Sequence, residues 1–196
     1  MSNYIPAIEK YIQDEIKVLQ SMDPNEIQNV MTTLEEAFEN GNDIYIFGNG
    51  GSSATASHYQ NDFNKGISEH TEKKFRFRCL NDNMATIMAV ANDIGFEDVF
   101  AFQLRGVLRP GDVVFAISGS GNSKNVIKAV EYAKEQGNKV IGLTGYNGGK
   151  LKELADVSLH APVNSMQITE DIHMIMDHLM MSIFYKTMCG IEHLKD

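Results

Sequence analysis

Twice in this chain an apolar, β-branched run breaks into a Gly/Ser turn that opens a helical pattern: Ile46-Phe47-Gly48-Asn49-Gly50-Gly51-Ser52-Ser53, and Ile117-Ser118-Gly119-Ser120-Gly121-Asn122-Ser123. A buried strand feeding a helix through a tight turn is the unit of a helix-covered parallel sheet, because parallel strands need a crossover between them. The rest of the chain keeps that alternation. Strands are expected at Ile44 to Phe47, Phe75 to Leu80, Val113 to Ile117, Val140 to Thr144 and Val157 to Ala161, where branched and aromatic residues cluster. Helices are expected between them at about Ser53 to Asn64, Met84 to Ala91, Glu97 to Val107, Lys124 to Gln136 and Lys150 to Leu154, followed by a long last helix from Thr169 to Cys189.

Two more helices precede the first strand. Ile5, Ile8, Ile12, Ile16 and Leu19 recur at three- and four-residue spacing. Asp23-Pro24-Asn25-Glu26 then supplies an N-cap acid, a proline at the first helical position and a carboxylate at the third, before a pattern that runs through Met31, Leu34 and Phe38 to Gly41. The expected architecture is a three-layer α/β sandwich. Its five parallel strands take the order 2-1-3-4-5 with helices on both faces, and the two leading helices extend a single domain of residues 1–196 over about residues 1–41. At 196 residues such a domain can bury a core without disulfides or a structural metal.

Two segments carry further expectations. The final helix holds Ile172, Met176, Leu179, Met180, Ile183, Phe184 and Thr187, with Met174, Ile175 and Met181, and is apolar over more than one face. Such breadth points to a subunit contact rather than to core packing alone. Arg76 and Arg78 alternate with Phe75 and Phe77, the pattern of an edge strand blunted by charge.

Glycines after a strand let the backbone approach a ligand closely, and the free N–H groups of the following helix, with nearby serine hydroxyls, point at an anion. A phosphate suits both loops. In the 2-1-3-4-5 order the loops after strands one and three are neighbours at the switch point, so Asn49 to Ser52 and Ser118 to Ser123 can share one phosphorylated ligand. Neither loop is a dinucleotide fingerprint, since Gly48-x-Gly50 lacks the third glycine and has Ser53 instead, and neither contains the Gly-Lys-Ser/Thr of a nucleoside triphosphate site. With 17 Lys and Arg against 26 Asp and Glu, a net charge of −9 excludes an extended nucleic-acid backbone as the main ligand. Cys79 and Cys189 read as separate thiols in a reducing compartment. The start of the chain lacks a basic head followed by an apolar run, and no apolar stretch reaches the roughly 20 residues of a membrane span. The chain is therefore expected in the cytoplasm.

Acid–base residues cluster in two places. His58 and Asp62 are four apart and share a helix face close to the first loop, and Glu170 and His178 are eight apart along the last helix. Two imidazoles and two carboxylates facing one cleft are a plausible set for zinc, although a polar helix containing Gln60, Asn61 and Asn64 also explains Asp62 by solvent exposure alone. His173, three residues after Glu170, is placed nearly as well as His178, and spacing does not choose between them. Asn92 and Asp93 end a helical run before Gly95, as polar helix-end residues or as ligand contacts.

Taken in order, Gly48-Asn49-Gly50-Gly51-Ser52 with His58, Ala91-Asn92-Asp93-Ile94-Gly95-Phe96, Ile117-Ser118-Gly119-Ser120-Gly121-Asn122-Ser123 and Leu143-Thr144-Gly145 resemble the sugar isomerase (SIS) family, in its phosphoheptose isomerase branch. The resemblance covers the whole chain. It implies a homotetramer with active sites between subunits, acting in heptose biosynthesis on sedoheptulose 7-phosphate to give D-glycero-D-manno-heptose 7-phosphate. It implies phosphosugar contacts from Asn49, Gly50, Gly51, Ser52, Asn92, Asp93, Ser118, Gly119, Ser120 and Ser123. It also implies one zinc per active site at His58, Asp62, Glu170 and His178. Isomerisation needs a base for the proton next to the carbonyl and a donor to the sugar oxygens; Asp62 or Glu170 suits the first and His178 the second. The family's isomerases carry glutamate where this chain has Asp62, glutamine where it has Glu170 and threonine where it has Gly119. Those departures keep a second possibility open, a phosphosugar-binding or protein-binding module without turnover, like the relative in the same branch that associates with the DNA-replication initiator.

Overall fold

In the computed structural model, which describes residues 2–192, the β-branched runs become strands whose alternate residues face opposite layers. The strands are β1 (Ile44–Gly48), β2 (Phe77–Cys79), β3 (Val113–Ser118), β4 (Lys139–Thr144) and β5 (Val157–His160). They pair in the order β2-β1-β3-β4-β5, all parallel, as the alternation of strands and helices implies. The helices are α1 (Ile5–Ser21), α2 (Pro24–Asn40), α3 (Gly51–Asn61), α4 (Met84–Asp93), α5 (Ala101–Leu104), α6 (Lys124–Glu135), α7 (Gly149–Leu154) and α8 (Met166–Cys189). Ile44, Ile46, Phe115 and Ile117 face one layer, where they meet Leu34 and Phe38 of α2, Tyr59 of α3, and Ile172, Met176 and Met180 of α8. Tyr45, Phe47, Val114 and Ala116 face the other, against Val90, Leu104, Val126, Val130 and Leu151 of α4 to α7. The period-two alternation of the strands thus sorts the chain into its two cores.

Three expected helices are changed. The run over 97–107 becomes a 3₁₀ turn (Phe96–Asp98) and the short α5, because Asp98, Val99, Phe100 and Ala101 are buried in succession and no one-sided helix can bury four neighbours. The last helix starts earlier, at Met166, capped by Ser165, whose side chain accepts from the Ile168 amide. The third change is at the end of α3, which passes into a single π turn (Asp62–Gly66), with the Ile67 N–H donating to the Asp62 and Phe63 carbonyls, and then a 3₁₀ turn (Ile67–His70). A Cβ on Gly66 would lie 2.6 Å from Met181 Cε, so the π turn brings a bare backbone against α8.

Side chains close both sheet margins. On β2, the Asn64 amide donates to the Phe77 carbonyl (2.9 Å) and its oxygen accepts from the Phe77 N–H (2.8 Å), while Gln60 Oε1 accepts from the Cys79 N–H. Arg76 and Arg78 extend outward and share Asp43 Oδ1 at 2.7 and 3.4 Å, in keeping with a charged edge strand. On β5 the carboxylate of Glu26 accepts from the His160 N–H (3.0 Å), so the acid placed by sequence at the third position of α2 serves the sheet, and Asp23 alone caps the helix by accepting from the Asn25 N–H. Cys79 is buried, Cys189 half-buried, and both are free thiols. Among the described residues no helix is long and apolar enough to cross a membrane.

Candidate active site

β1 and β3 are adjacent, with Gly48 opposite Ile117, so the turns that follow them lie side by side. Asn49 and Asn125 lock them together by exchanging two amide hydrogen bonds of 2.9 Å. Neither following helix has a side-chain cap: α3 starts from Gly50 (φ 54°), and Ser123 at the head of α6 places its hydroxyl 3.3 Å from that of Ser118 instead. Two helix starts with free N–H groups and partial positive charge therefore converge. Gly121 (φ 65°) holds the second turn where a Cβ would lie 1.9 Å from the Gly148 carbonyl oxygen, a position open only to glycine.

The result is a cavity of about 230 Å³ lined by all eight loop residues expected to touch the ligand, Asn49, Gly50, Gly51, Ser52, Ser118, Gly119, Ser120 and Ser123. Its remaining wall comes from the start of α8. Glu170 reaches in so closely that its oxygens stand 2.5 Å from where a Cβ on Gly51 would be. Among the described residues the Glu170 carboxylate has no ion pair or hydrogen-bond donor. Met166 lies over Gly119, with its sulfur 2.7 Å from the position of an added Cβ, and so fills the space a threonine side chain would need. Asn92 and Asp93 stand apart from this cavity: they end α4, are exposed, and are bonded to each other (2.7 Å).

Further along α8 a second group forms against the end of α3. His58 Nε2 is 3.1 Å from His178 Nε2 and 3.4 Å from Asp62 Oδ2, and His178 Nε2 is 3.9 Å from that same oxygen. Asp177 joins them, with one ligand atom from each of the four side chains within 4.8 Å of the others. Glu170 is not in this group; it stays at the loop cavity. Asp177 is fully buried, and neither of its oxygens has a hydrogen-bond partner. Burial first, and then the charge of Asp62, push its carboxyl up to about 8. Four-coordinate bonds of 2.0–2.1 Å put ligand atoms about 3.3 Å apart, and the triangle of His58, His178 and Asp62 atoms, at 3.1, 3.4 and 3.9 Å, is close to that face. Two imidazoles and two carboxylates so arranged can hold a divalent metal ion.

His173, the alternative to His178, belongs to the core: it is 1 % exposed, with Nε2 3.3 Å from the Thr144 carbonyl oxygen. The sequence reading passed over Asp177 and Met166. Asp177 follows the buried position Met176 by one residue, and nothing in the pattern marks it as facing inward.

Paired anion-ready loops at the switch point of a 2-1-3-4-5 sheet, with an acid at the cavity wall, define a sugar-phosphate-binding α/β protein. The SIS domain family matches residues 9–145. The phosphoheptose isomerase of Akkermansia muciniphila is 33% identical over 190 residues, 97% of this chain and 100% of its own. That of Helicobacter hepaticus is 37% identical over 164 residues, covering 84% of this chain and 83% of the relative. The structure of phosphoheptose isomerase from Neisseria gonorrhoeae superposes with a TM-score of 0.86 at 29% identity, covering 94% of this chain and 100% of that one. The chain belongs to the SIS family, in its phosphoheptose isomerase branch.

Proposed function

We propose that this chain is an aldose–ketose isomerase interconverting sedoheptulose 7-phosphate and D-glycero-D-manno-heptose 7-phosphate in the cytoplasm. The observation that carries the reading is Glu170, a carboxylate standing in the cavity that two helix starts make ready for a phosphate. The loop N–H groups and the hydroxyls of Ser120 and Ser123 hold the phosphate.

Of the two acids suited by type to be the base, Glu170 lines the loop cavity, whereas Asp62 is turned toward the two imidazoles. Glu170 takes the proton from C1 of the ketose to give the enediol and returns it to C2, while the proton of the O1 hydroxyl passes to O2 by way of solvent as the carbonyl moves to C1. His58, Asp62 and His178 hold a zinc ion, which when bound stabilises negative charge developing on the sugar oxygens. Asp62 and His178 thus serve the proton transfer by holding the ion, and Glu170 moves the carbon-bound proton. The assembly in this reading is a homotetramer with active sites between subunits, and the apolar outer face of α1, with Ile5, Ile8 and Ile12 exposed, supports self-association.

The test is incubation with sedoheptulose 7-phosphate in the presence of zinc, followed by NMR for the anomeric signals of the aldose. Conversion is expected, and Glu170→Ala should lower kcat by about a hundredfold or more while changing KM little. Binding of the sugar without conversion would move the chain to the non-catalytic module.

A further inference from the structure

The acid that closes the group of His58, Asp62 and His178 is one no sequence motif names. Asp177 lies at the α3–α8 contact with no accessible surface and with neither carboxylate oxygen hydrogen-bonded. Its neighbour Asp62 is 8% exposed, and its charged partners among the described residues are the two imidazoles. No Lys or Arg among the described residues pairs with either carboxylate. Two acids so close and so deeply placed are a costly arrangement unless a positive charge sits between them. Both imidazoles offer Nε2 to the same space. The ionised set carries two negative charges, which one divalent cation balances.

The backbone accounts for how Asp177 comes to be there. Successive residues of a helix point about 100° apart, so His178 stands at the partly exposed rim while Asp177 turns under it toward α3. The π turn beginning at Asp62, with Gly66 pressed against Met181, lets α8 approach closely enough for that carboxylate to reach the group.

We propose that Asp177 is a metal ligand, completing with His58, Asp62 and His178 a two-histidine, two-carboxylate site, while Glu170 remains outside the coordination sphere. The inference rests on the metal-holding role given above to His58, Asp62 and His178, and adds to it the fourth protein ligand. The two carboxylates would balance the charge of the ion, a sugar oxygen would join these four as a further ligand, and Glu170 is free to act on the sugar.

The experiment is a metal titration of chelator-stripped, full-length protein with Zn²⁺ in competition with a chromophoric chelator, alongside Co²⁺ loading read by visible absorption. Wild type, Asp177→Asn, Glu170→Ala and His178→Ala are compared, with circular dichroism to confirm the fold. Loss of a second-sphere partner typically weakens metal binding 10–100-fold, so loss of a direct ligand in Asp177→Asn should cost about a hundredfold or more and alter the Co²⁺ spectrum. Glu170→Ala should change Zn²⁺ affinity by less than about threefold and leave the Co²⁺ spectrum as it is, because it removes no ligand. Wild-type affinity and spectrum in Asp177→Asn, with binding lost in His178→Ala, would overturn the role of Asp177 and leave the metal site standing. A wild-type chain that takes up no Zn²⁺ would overturn both. Should Asp177→Asn fail to fold, Asp177→Ser serves in its place, and a hundredfold loss in Glu170→Ala would by itself refute the assignment.

Discussion

His173 and His178 lie five residues apart on α8 with the same chemistry and opposite fates. Desolvation lowers the His173 pKa to about 4, partly opposed by its hydrogen bond to the Thr144 carbonyl, and the charge of His160 lowers it further. The unfolded chain takes up that proton near pH 6.5, whereas the folded chain resists it until about 4. Stability is therefore complete above pH 6.5, declines as pH falls toward 4 and levels off below, by roughly 3 kcal/mol at most from this residue. Urea midpoints at pH 7, 5 and 4 should show this slope in wild type and a shallower one in His173→Gln; equal slopes would remove His173 as its source. Spacing left the two histidines level because the choice depends on which side of α8 meets the sheet. The loop residues were legible for the opposite reason: strand, glycine turn and helix start follow one another in the chain, so Asn49 to Ser52 and Ser118 to Ser123 needed no long-range contact to be found. Asp177 was not legible, since its burial depends on the π turn and Gly66, which leave no signature at a period of 3.6 residues.

At the scale of elements, α8 buries much of its apolar surface within the chain, while α1 leaves most of its own exposed. The breadth of α8 is mostly spent within its own chain, where Met180 is fully buried against the sheet core, so a charge at Met180 would unfold the protein and report nothing about assembly. In α1 only Val18 is buried, while Ile5, Ile8 and Ile12 are 61%, 55% and 49% exposed. Tyr11 ties the helix to α8 through a hydrogen bond to Asp171. The double change Ile8→Asp, Ile12→Asp should reduce the sedimentation coefficient to that of a smaller species while shifting the urea midpoint little, since neither side chain belongs to the core. A wild-type protein that already sediments as a monomer would refute the role of α1. The expected helix over 97–107 failed because its apolar residues fit a helical period only until the second core claims three of them in a row, Val99, Phe100 and Ala101.

For the molecule as a whole, the proposed metal group joins α3, fixed to β1, with α8, which packs in the same layer. An ion bound only by the folded arrangement stabilises it by about 2.7 kcal/mol at a hundredfold excess over Kd. For a chain of this size that corresponds to a fall in Tm of roughly 5–10 °C when the ion is removed. Differential scanning calorimetry with and without a chelator should show the drop, and its absence in His178→Ala would tie it to this site. A Tm indifferent to the chelator would mean that the ion, if taken up, contributes nothing to the fold.

An open parallel sheet ordinarily keeps two margins where a strand of another molecule can dock, and here side chains occupy part of both. Asn64 meets both polar backbone groups of Phe77, Gln60 meets the Cys79 N–H, and at the opposite margin Glu26 meets the His160 N–H. These amides and this acid behave like short pieces of a missing strand, so the sheet is sealed at these points without closing into a barrel. The consequence concerns solubility at high concentration more than catalysis. Gln60→Ala with Asn64→Ala would bare the β2 margin while leaving both cores in place, and should shorten the lag before light scattering rises on mild heating, with a gain in thioflavin fluorescence that wild type does not show. An unchanged lag would mean that Arg76 and Arg78 protect this margin without help. If the lag shortens, two carboxamides, one on α3 and one on the π turn that follows it, are also what keeps neighbouring molecules from adding to one another's sheets.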